Sequence, residues 1–455
     1  MDISISGLIE SAVGFVWNKP VIILCLVTGI FFTLRLGFIQ FRCFKHAISL
    51  IRGHYDNPNE KGQITHFQAL CAALSGTIGL GNIAGVAIAI KIGGPGAIFW
   101  MWVVGILGMA TKYAECGLGT YFRDVDPETG EVSGGPMHYI TKGLGQKWKP
   151  MALFYAFCAL MGSFGAGNMF QSNQAAEALQ SSFSIPPVST GIVLTILVGI
   201  VIIGGIKRIG KVASRIVPFM CGIYILGAII ICVMNIQSLP QILTLIVTDA
   251  FTGNAAAGGA FGTVLIWGVR RAIFSNEAGL GSAAIAHAAV KTDYPIREGI
   301  VASLGPLIDT IIVCSATAFV IIISGNYGPM AMGNGISLTT ASFDMFLDGF
   351  GSIFISLAVF FFAFSTMITW SYYGERAATY LFGKKFIMPY RMIFVMCVFL
   401  GAIVQLSDVL NFADLMIGLM VIPNSIAIIL LSPKVVALTK DYFTKLKAGE
   451  YPRYK

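Results

Sequence analysis

The chain has 455 residues, 56% of them hydrophobic and only 11% charged, with a mean hydropathy of +0.79. A water-soluble domain carries about 25% charged residues, so the composition excludes one and specifies an all-α polytopic membrane protein. The net charge of +8 argues for no nucleic-acid partner, because the basic residues collect at the ends of apolar runs.

The Met1 to Asn18 stretch has neither a basic start nor a cleavage site, so it is not read as a signal peptide. Ser4 to Trp17 fits a short helix lying at the membrane interface. Runs of roughly 20 apolar residues then mark transmembrane helices. Eleven are predicted, at 20–41, 66–92, 95–121, 150–181, 187–205, 211–235, 257–290, 297–325, 349–382, 386–406 and 409–432. With the N-terminus outside, the inside segments hold Arg42, Lys45, Arg52 and Lys61, then Arg123 to Lys149, Lys207 to Arg215, Lys291 and Arg297, Arg376 to Lys385, and the tail from Lys434. The outside segments hold only Lys19 and Lys91. This bias orients the chain with a cytoplasmic C-terminus.

The soluble parts are small. Phe41 to Thr65 is a connector, Asp124 to Met137 a charged loop, and Ile236 to Gly259 an external segment ending in small residues. The nine cysteines have no CxxC or Cys/His ligand spacing, which argues against metal or disulfide roles. The stretch from Gly205 to Lys211 nearly spells a phosphate loop, but Val212 replaces the required Ser or Thr and the loop joins two membrane helices. With no HExxH or GxSxG either, nothing argues for an enzyme.

Two stretches interrupt predicted spans. Ser75-Gly-Thr-Ile-Gly-Leu-Gly-Asn82 and Phe274-Ser-Asn-Glu-Ala-Gly-Leu-Gly-Ser282 share Gly-Leu-Gly and carry polar side chains. Such sequences make poor continuous helix, and bare backbone at membrane depth is tolerated only where protein buries it or it lines a cavity. Interrupted segments at matching places in two halves point to a transporter binding site. A break exposes amide donors that suit a carboxylate and carbonyls that suit a sodium ion or an ammonium. The competing reading is tight helix packing by small residues.

The spacing of these breaks, with the ten spans from His66 onward, resembles the leucine-transporter-type fold. That fold implies a 5+5 inverted-repeat core with the first and sixth core helices broken, and one peripheral helix, 20–41, before it. Within it the chain resembles the alanine or glycine:cation symporter family. The residues that carry this are Gly76 to Gly85, Gly93-Gly-Pro-Gly-Ala-Ile-Phe-Trp100, and Ser275 to Ser282 with the small residues that follow to His287. The resemblance implies sodium-coupled uptake of alanine and glycine, with Na+ as the co-transported ion.

It also implies roles by position. Amides of Gly76, Thr77, Ile78 and Gly79 hold the substrate carboxylate. Carbonyls near Phe274, Ser275 and Asn276, with the Asn276 side chain, take the ammonium, and Phe274 lids the pocket. Ser365 and Thr366 bind sodium with the carbonyls of Ser75 and Ile78, unless those hydroxyls only bond back to their own helix. Trp370 leaves room for a methyl group and little more. Asn168 and Gln171 give the fourth span a polar face, serving either substrate contact or bonding between helices. A less secure second sodium site uses Asn82, the Thr77 carbonyl and Ser275, with Asp309 a substitute for the expected amide, a proton carrier or the partner of an arginine.

Charges within spans default to functional roles. Glu277, Arg270 and Arg271 are read as ties between the broken helix and its neighbours, and Lys112 and Glu115 as a pair. The chain divides into 1–65 (interfacial segment, extra helix and connector), 66–235 (first repeat), 236–432 (external segment and second repeat) and 433–455 (basic tail). The partners implied are alanine or glycine, sodium and the lipid bilayer, with no obligatory protein partner. The alternatives are a proton-coupled transporter and a ligand-gated channel or sensor.

Overall fold

A computed structural model describes residues 5–18, 20–128, 130–252, 261–328, 331–404 and 407–454. The small-residue run at 253–259 and the charges of Lys19 and Lys455 lie outside these. The described chain is helical almost throughout, with one two-stranded hairpin, Asp124–Val125 paired antiparallel with Val132–Ser133. Asp124 there accepts from His138 and Lys142, and these contacts hold its carboxyl down at about 2.

In chain order the helices begin with α1 (Ile5–Asn18), α2 (Pro20–Arg35), α3 (Phe44–Ile51) and α4 (His66–Thr77). There follow α5 (Val86–Gly93), α6 (Ala97–Tyr121), α7 (Pro136–Gly143), α8 (Lys149–Phe164), α9 (Phe170–Phe183) and α10 (Pro187–Ile202). Next come α11 (Gly205–Met234), α12 (Leu239–Thr252), α13 (Phe261–Asn276), α14 (Ser282–His287), α15 (Pro295–Ala302) and α16 (Ser315–Ile323). The last are α17 (Ile336–Leu347), α18 (Phe350–Phe382), α19 (Ile387–Ile403), α20 (Ser407–Leu430) and α21 (Ser432–Lys447).

Among the described residues, 8 helices are long and apolar enough to cross a membrane, or 9 if the bent pair His66–Thr77 and Gly81–Gly93 is one span. The other two predicted spans correspond to α10, of 16 residues, and to the interrupted pair α13 and α14. The predicted interfacial helix appears as α1 and docks on α20, where Trp17 Nε1 donates to the Asp414 carbonyl at 2.8 Å. Helices α12 and α17 stand outside the predicted spans.

The exterior is apolar as well as the core. Ile192, Ile196 and Ile200 on α10 and Met388, Met392 and Met396 on α19 are exposed at helical spacing, which gives lipid-facing stripes. Within the apolar core, Tyr155, Tyr224 and Tyr390 are fully buried with their hydroxyls hydrogen-bonded, since no water satisfies them there. Helix α6 lies centrally, against α2, α13 and α15, while α4 packs on α11 and α18.

At one end the two interrupted segments are fastened together. Ile64 and Val290 form a parallel β-bridge, with Gln63 N–H on the Ala289 carbonyl (2.7 Å) and Lys291 N–H on the Ile64 carbonyl (2.8 Å). Gly62 has φ +144°, and the Val290 carbonyl occupies the space a β-carbon would take. Buried Glu298 on α15 binds His66 at the start of α4 through one oxygen and His287 at the end of α14 through the other. Arg123 adds bonds to the carbonyls of Lys61, Ala288, Val290 and Thr292.

Candidate functional site

The first break is shorter than the sequence implies. A capping box from Thr65 and Gln68 starts α4, and the helix runs through Ser75, Gly76 and Thr77. It stops because Ile78 turns extended, with φ −76° and ψ 98°. Chain direction changes by 54° before the helix resumes. The restart is a π-helical turn, Gly81–Gly85, a form that recurs at functional sites. Its carbonyls are braced from outside: Thr317 Oγ1 donates to Asn82 O at 2.7 Å and Thr339 Oγ1 to Ile83 O at 3.1 Å.

This geometry moves the open donors. The Gly76 and Thr77 amides lie within the helix, Ile78 N–H donates to Leu74 O (2.6 Å), and Gly79 N–H donates to Asn82 Oδ1 (2.9 Å). The amides left at the start of the second half are therefore those of Leu80 and Gly81, where a helix has no partner one turn back. On the first half, the Asn82 side chain takes the Gly79 amide and so removes the helical donor of the Ser75 carbonyl.

The second break spans 277–281. Glu277 takes a left-handed φ of +55°, which stops α13, and Gly279 (+98°) and Gly281 (+77°) turn the chain into α14. The Pro136 and Asn424 side chains fill the space beside Gly281. The exposed backbone is satisfied piece by piece. Ala278 N–H donates to Asn276 Oδ1 (2.9 Å) and Gly279 N–H to Glu115 Oε1 (2.9 Å). Leu280 N–H bonds Glu277 O at 3.2 Å. The Gly279 carbonyl accepts from Asn424 Nδ2 (2.7 Å) and that of Leu280 from Tyr155 Oη (2.9 Å). With those three amides turned elsewhere, the carbonyls of Phe274, Ser275 and Asn276 have no helical donor.

Both breaks border one cavity of about 30 Å³. At about 10–15 Å³ per water it admits only a very small ligand. Gly76, Thr77 and Gly79 line it from the first break, Phe274 and Glu277 from the second, and Gln171, Thr366 and Trp370 from the scaffold; Leu80, Gly81, Ala166 and Ile417 complete it. A β-carbon on Gly79 would sit 2.7 Å from Thr366 Oγ1, so glycine is what permits this approach. Trp370 is fixed by donating Nε1 to Glu277 Oε1 at 3.1 Å, and Ser282 holds the other Glu277 oxygen. Glu277 thus ties the break to α18 and also faces the cavity.

Of the two polar residues of the fourth span, Gln171 lines the cavity, with Nε2 on Ala166 O and Oε1 unpartnered. Asn168 instead bonds α19, donating to Phe394 O at 2.7 Å. Asn276 is engaged at both ends, by Ala278 N–H and by Thr310 Oγ1 (3.1 Å). Its side chain thereby builds the break. Phe274 lies 5.9 Å from the Arg271 guanidinium. Arg270 reaches Asp414 on α20 at 3.6 Å.

Of the residues that the resemblance groups around sodium, Ser75 touches Ser365, and both α18 hydroxyls bond back to their own helix. Ser75 Oγ donates to Ser365 O at 2.5 Å, while the Ser365 and Thr366 hydroxyls both donate to Phe362 O (3.0 and 2.9 Å). Beside them lies a second polar cluster. Asp309 accepts from Asn82 Nδ2 (2.7 Å), Ser275 Oγ (2.9 Å) and Thr310 Oγ1 (2.8 Å). It sits in the π-helical segment Leu307–Cys314 between α15 and α16. Asp309 therefore joins both breaks, through Asn82 on one and Ser275 on the other.

The Lys112–Glu115 pair does not form. Glu115 Oε1 is taken by Gly279 N–H and by Asn424 Nδ2 at 2.6 Å, and Lys112 Nζ has no hydrogen-bond partner among the described residues. The supporting roles of Glu115, Asn424 and Tyr155 were not anticipated. An acid in mid-span was the only sequence signal for the first, and Asn after Pro423 for the second.

The sequence matches the sodium:alanine symporter family over residues 2–455. The sodium/alanine symporter AgcS of Methanococcus maripaludis is 46% identical over 448 residues, covering 98% of each chain. GlnT of Bacillus subtilis, described as a probable sodium/glutamine symporter, is 40% identical over 451 residues, which cover 98% of this chain and 93% of that one. Among solved structures, MhsT in complex with L-phenylalanine matches with a TM-score of 0.56 at 14% identity, over 84% of this chain and 100% of that one. The shared architecture is the leucine-transporter-type fold. The chain is thus a multi-pass membrane transporter, not an enzyme, and it belongs to the sodium:alanine symporter family.

Proposed function

We propose that this chain is a sodium-coupled symporter that imports small neutral amino acids, alanine and glycine, by alternating access. One observation carries the reading: the two breaks border the same narrow cavity, with Leu80 and Gly81 at the start of one half-helix and Phe274 and Glu277 at the end of another. The amides, at the positive end of a helix, suit a carboxylate; the carbonyls suit an ammonium. Gly76, Thr77, Ile78 and Gly79 shape the floor, Gln171 offers its free oxygen, and Trp370 and Thr366 close the side-chain end. The relatives' names differ in substrate, alanine for AgcS and glutamine for GlnT, and a cavity this small favours the former.

For sodium, the carbonyls of Ser75 and Ile78 with the hydroxyls of Ser365 and Thr366 form a first cage. Each hydroxyl donates its one proton to Phe362 O and so keeps lone pairs for a cation. The Thr77 carbonyl, Asn82, Ser275 and Asp309 form a second cage. The membrane arrangement proposed is eleven spans with the N-terminus outside, one peripheral helix, and inverted repeats at 66–235 and 236–432. The segment 433–455 is then a cytoplasmic tail.

Proton coupling is the second reading, favoured by one observation: Asp309 is a fully buried carboxyl at the junction of both breaks, with no ion-pair partner among the described residues. Uptake of labelled alanine into proteoliposomes under imposed sodium or proton gradients separates the two. The expected result is accumulation driven by sodium alone. Accumulation driven only by protons selects the second reading, and binding without uptake, or sustained ion current beyond a carrier's turnover, selects a sensor or channel. Ser365→Ala with Thr366→Ala should raise the half-saturating sodium concentration at least roughly tenfold, about 1.4 kcal/mol; an unchanged value sinks the first cage.

A further inference from the structure

We propose that the chain binds the headgroup of an anionic phospholipid in a basic groove between the elbow after α2 and the helix α21. The groove has a volume of about 290 Å³, and its cations are Arg35, Arg42, Lys440 and Lys447. They come from segments 400 residues apart in sequence. On α21, Val436, Lys440, Phe443 and Lys447 recur at helical spacing, which sets two apolar and two basic side chains along one stripe. No carboxylate lines the groove.

None of the four cations forms an ion pair among the described residues, and all four are exposed. Nearby, Lys445 pairs with Asp441 at 2.9 Å and Lys434 lies over the Tyr121 ring at 4.3 Å; in the groove itself Arg35 lies over the Phe31 ring at 5.5 Å. Arg42 Nη1 also donates to the Leu36 and Gly37 carbonyls (3.4 and 3.3 Å), which anchors its guanidinium at the elbow. Thr439 and Thr444 add hydroxyls to the wall. Basic side chains from two distant segments, with no carboxylate beside them, offer charge-assisted hydrogen bonds to the single negative charge of a phosphodiester.

The apolar flank identifies the source as lipid. Leu34, Phe38 and Phe41, interleaved with Arg35 and Arg42, are 63%, 51% and 61% exposed. A free phosphate uses none of this apolar surface, whereas acyl chains cover it. Cations beside lipid-facing side chains fit a headgroup at the bilayer boundary. The inference rests on the bilayer placement proposed above and is independent of which ion drives uptake.

The test uses the full chain in phosphatidylcholine bilayers with and without phosphatidylglycerol, reading retained lipid by native mass spectrometry. Phosphatidylglycerol should be retained over phosphatidylcholine. Arg35→Gln, Lys440→Gln and Lys447→Gln should each lower that retention roughly fivefold, and Lys385→Gln, a basic exposed position outside the groove, should leave it unchanged. Melting curves and alanine uptake in pure phosphatidylcholine report that each variant is folded. Equal loss from Lys385→Gln overturns the proposal by reducing it to general surface charge. So does undiminished retention in the groove variants, and displacement by inorganic phosphate alone would reassign the groove to a free anion.

Discussion

In the proposed function, Trp370 limits the size of the substrate. Its indole is held by Glu277 and packs edge-on against Tyr373, with ring centroids 5.4 Å apart, so it has little freedom to retreat. Trp370→Ala should admit serine, valine and leucine as competitors of alanine uptake; continued exclusion of all three would show that another residue sets the limit. Asp309 separates the two coupling readings at the same scale. Asp309→Asn keeps an oxygen for Asn82 and removes the charge. Under sodium coupling, sodium affinity falls while the melting temperature holds; an unaltered sodium dependence with a flattened pH profile would instead make Asp309 a proton carrier.

Among the elements, the two breaks are constructed differently. The first is held by one side chain of its own, Asn82, which takes the Gly79 amide and reaches Asp309. The second is held by others, chiefly Glu115 and Asn424. Glu115→Ala would leave the Gly279 amide and one of the two Asn424 Nδ2 protons without an acceptor in the interior, at a cost of about 2–3 kcal/mol. Thermal melting in detergent should fall accordingly, and Glu115→Gln, which keeps an acceptor, should lose less; equal melting of all three proteins would refute the bracing role. The glycine-rich breaks and the hydroxyl pair on α18 were legible because they are local departures from apolar helix. The Glu115 and Asn424 brace was not, since 309 residues separate the two and no local pattern pairs them. Nor was the exact unwound stretch. Gly76 and Thr77 stay helical because packing against α18, with the Thr369 methyl 3.1 Å from where a Gly76 β-carbon would stand, outweighs their propensity.

For the molecule as a whole, the count of apolar runs and their basic flanks foretold a polytopic helical protein, and the fold agrees. The short α10 and the interrupted α13–α14 fall below the length of a plain span, so length alone undercounts the crossings proposed. What runs of hydrophobicity do not encode is which ends are fastened to which. The β-bridge of Ile64 with Val290 and the shared carboxylate of Glu298 have that effect. They yoke two half-helices that a freely hinged design would let swing apart. Linking the pair covalently, by Ile64→Cys with Val290→Cys under oxidation, should therefore leave alanine uptake near the reduced level; arrest on oxidation would mean the yoke breaks in every cycle. If it holds, the inner exit opens by a single concerted stroke, and substrate and ion depart through the same door.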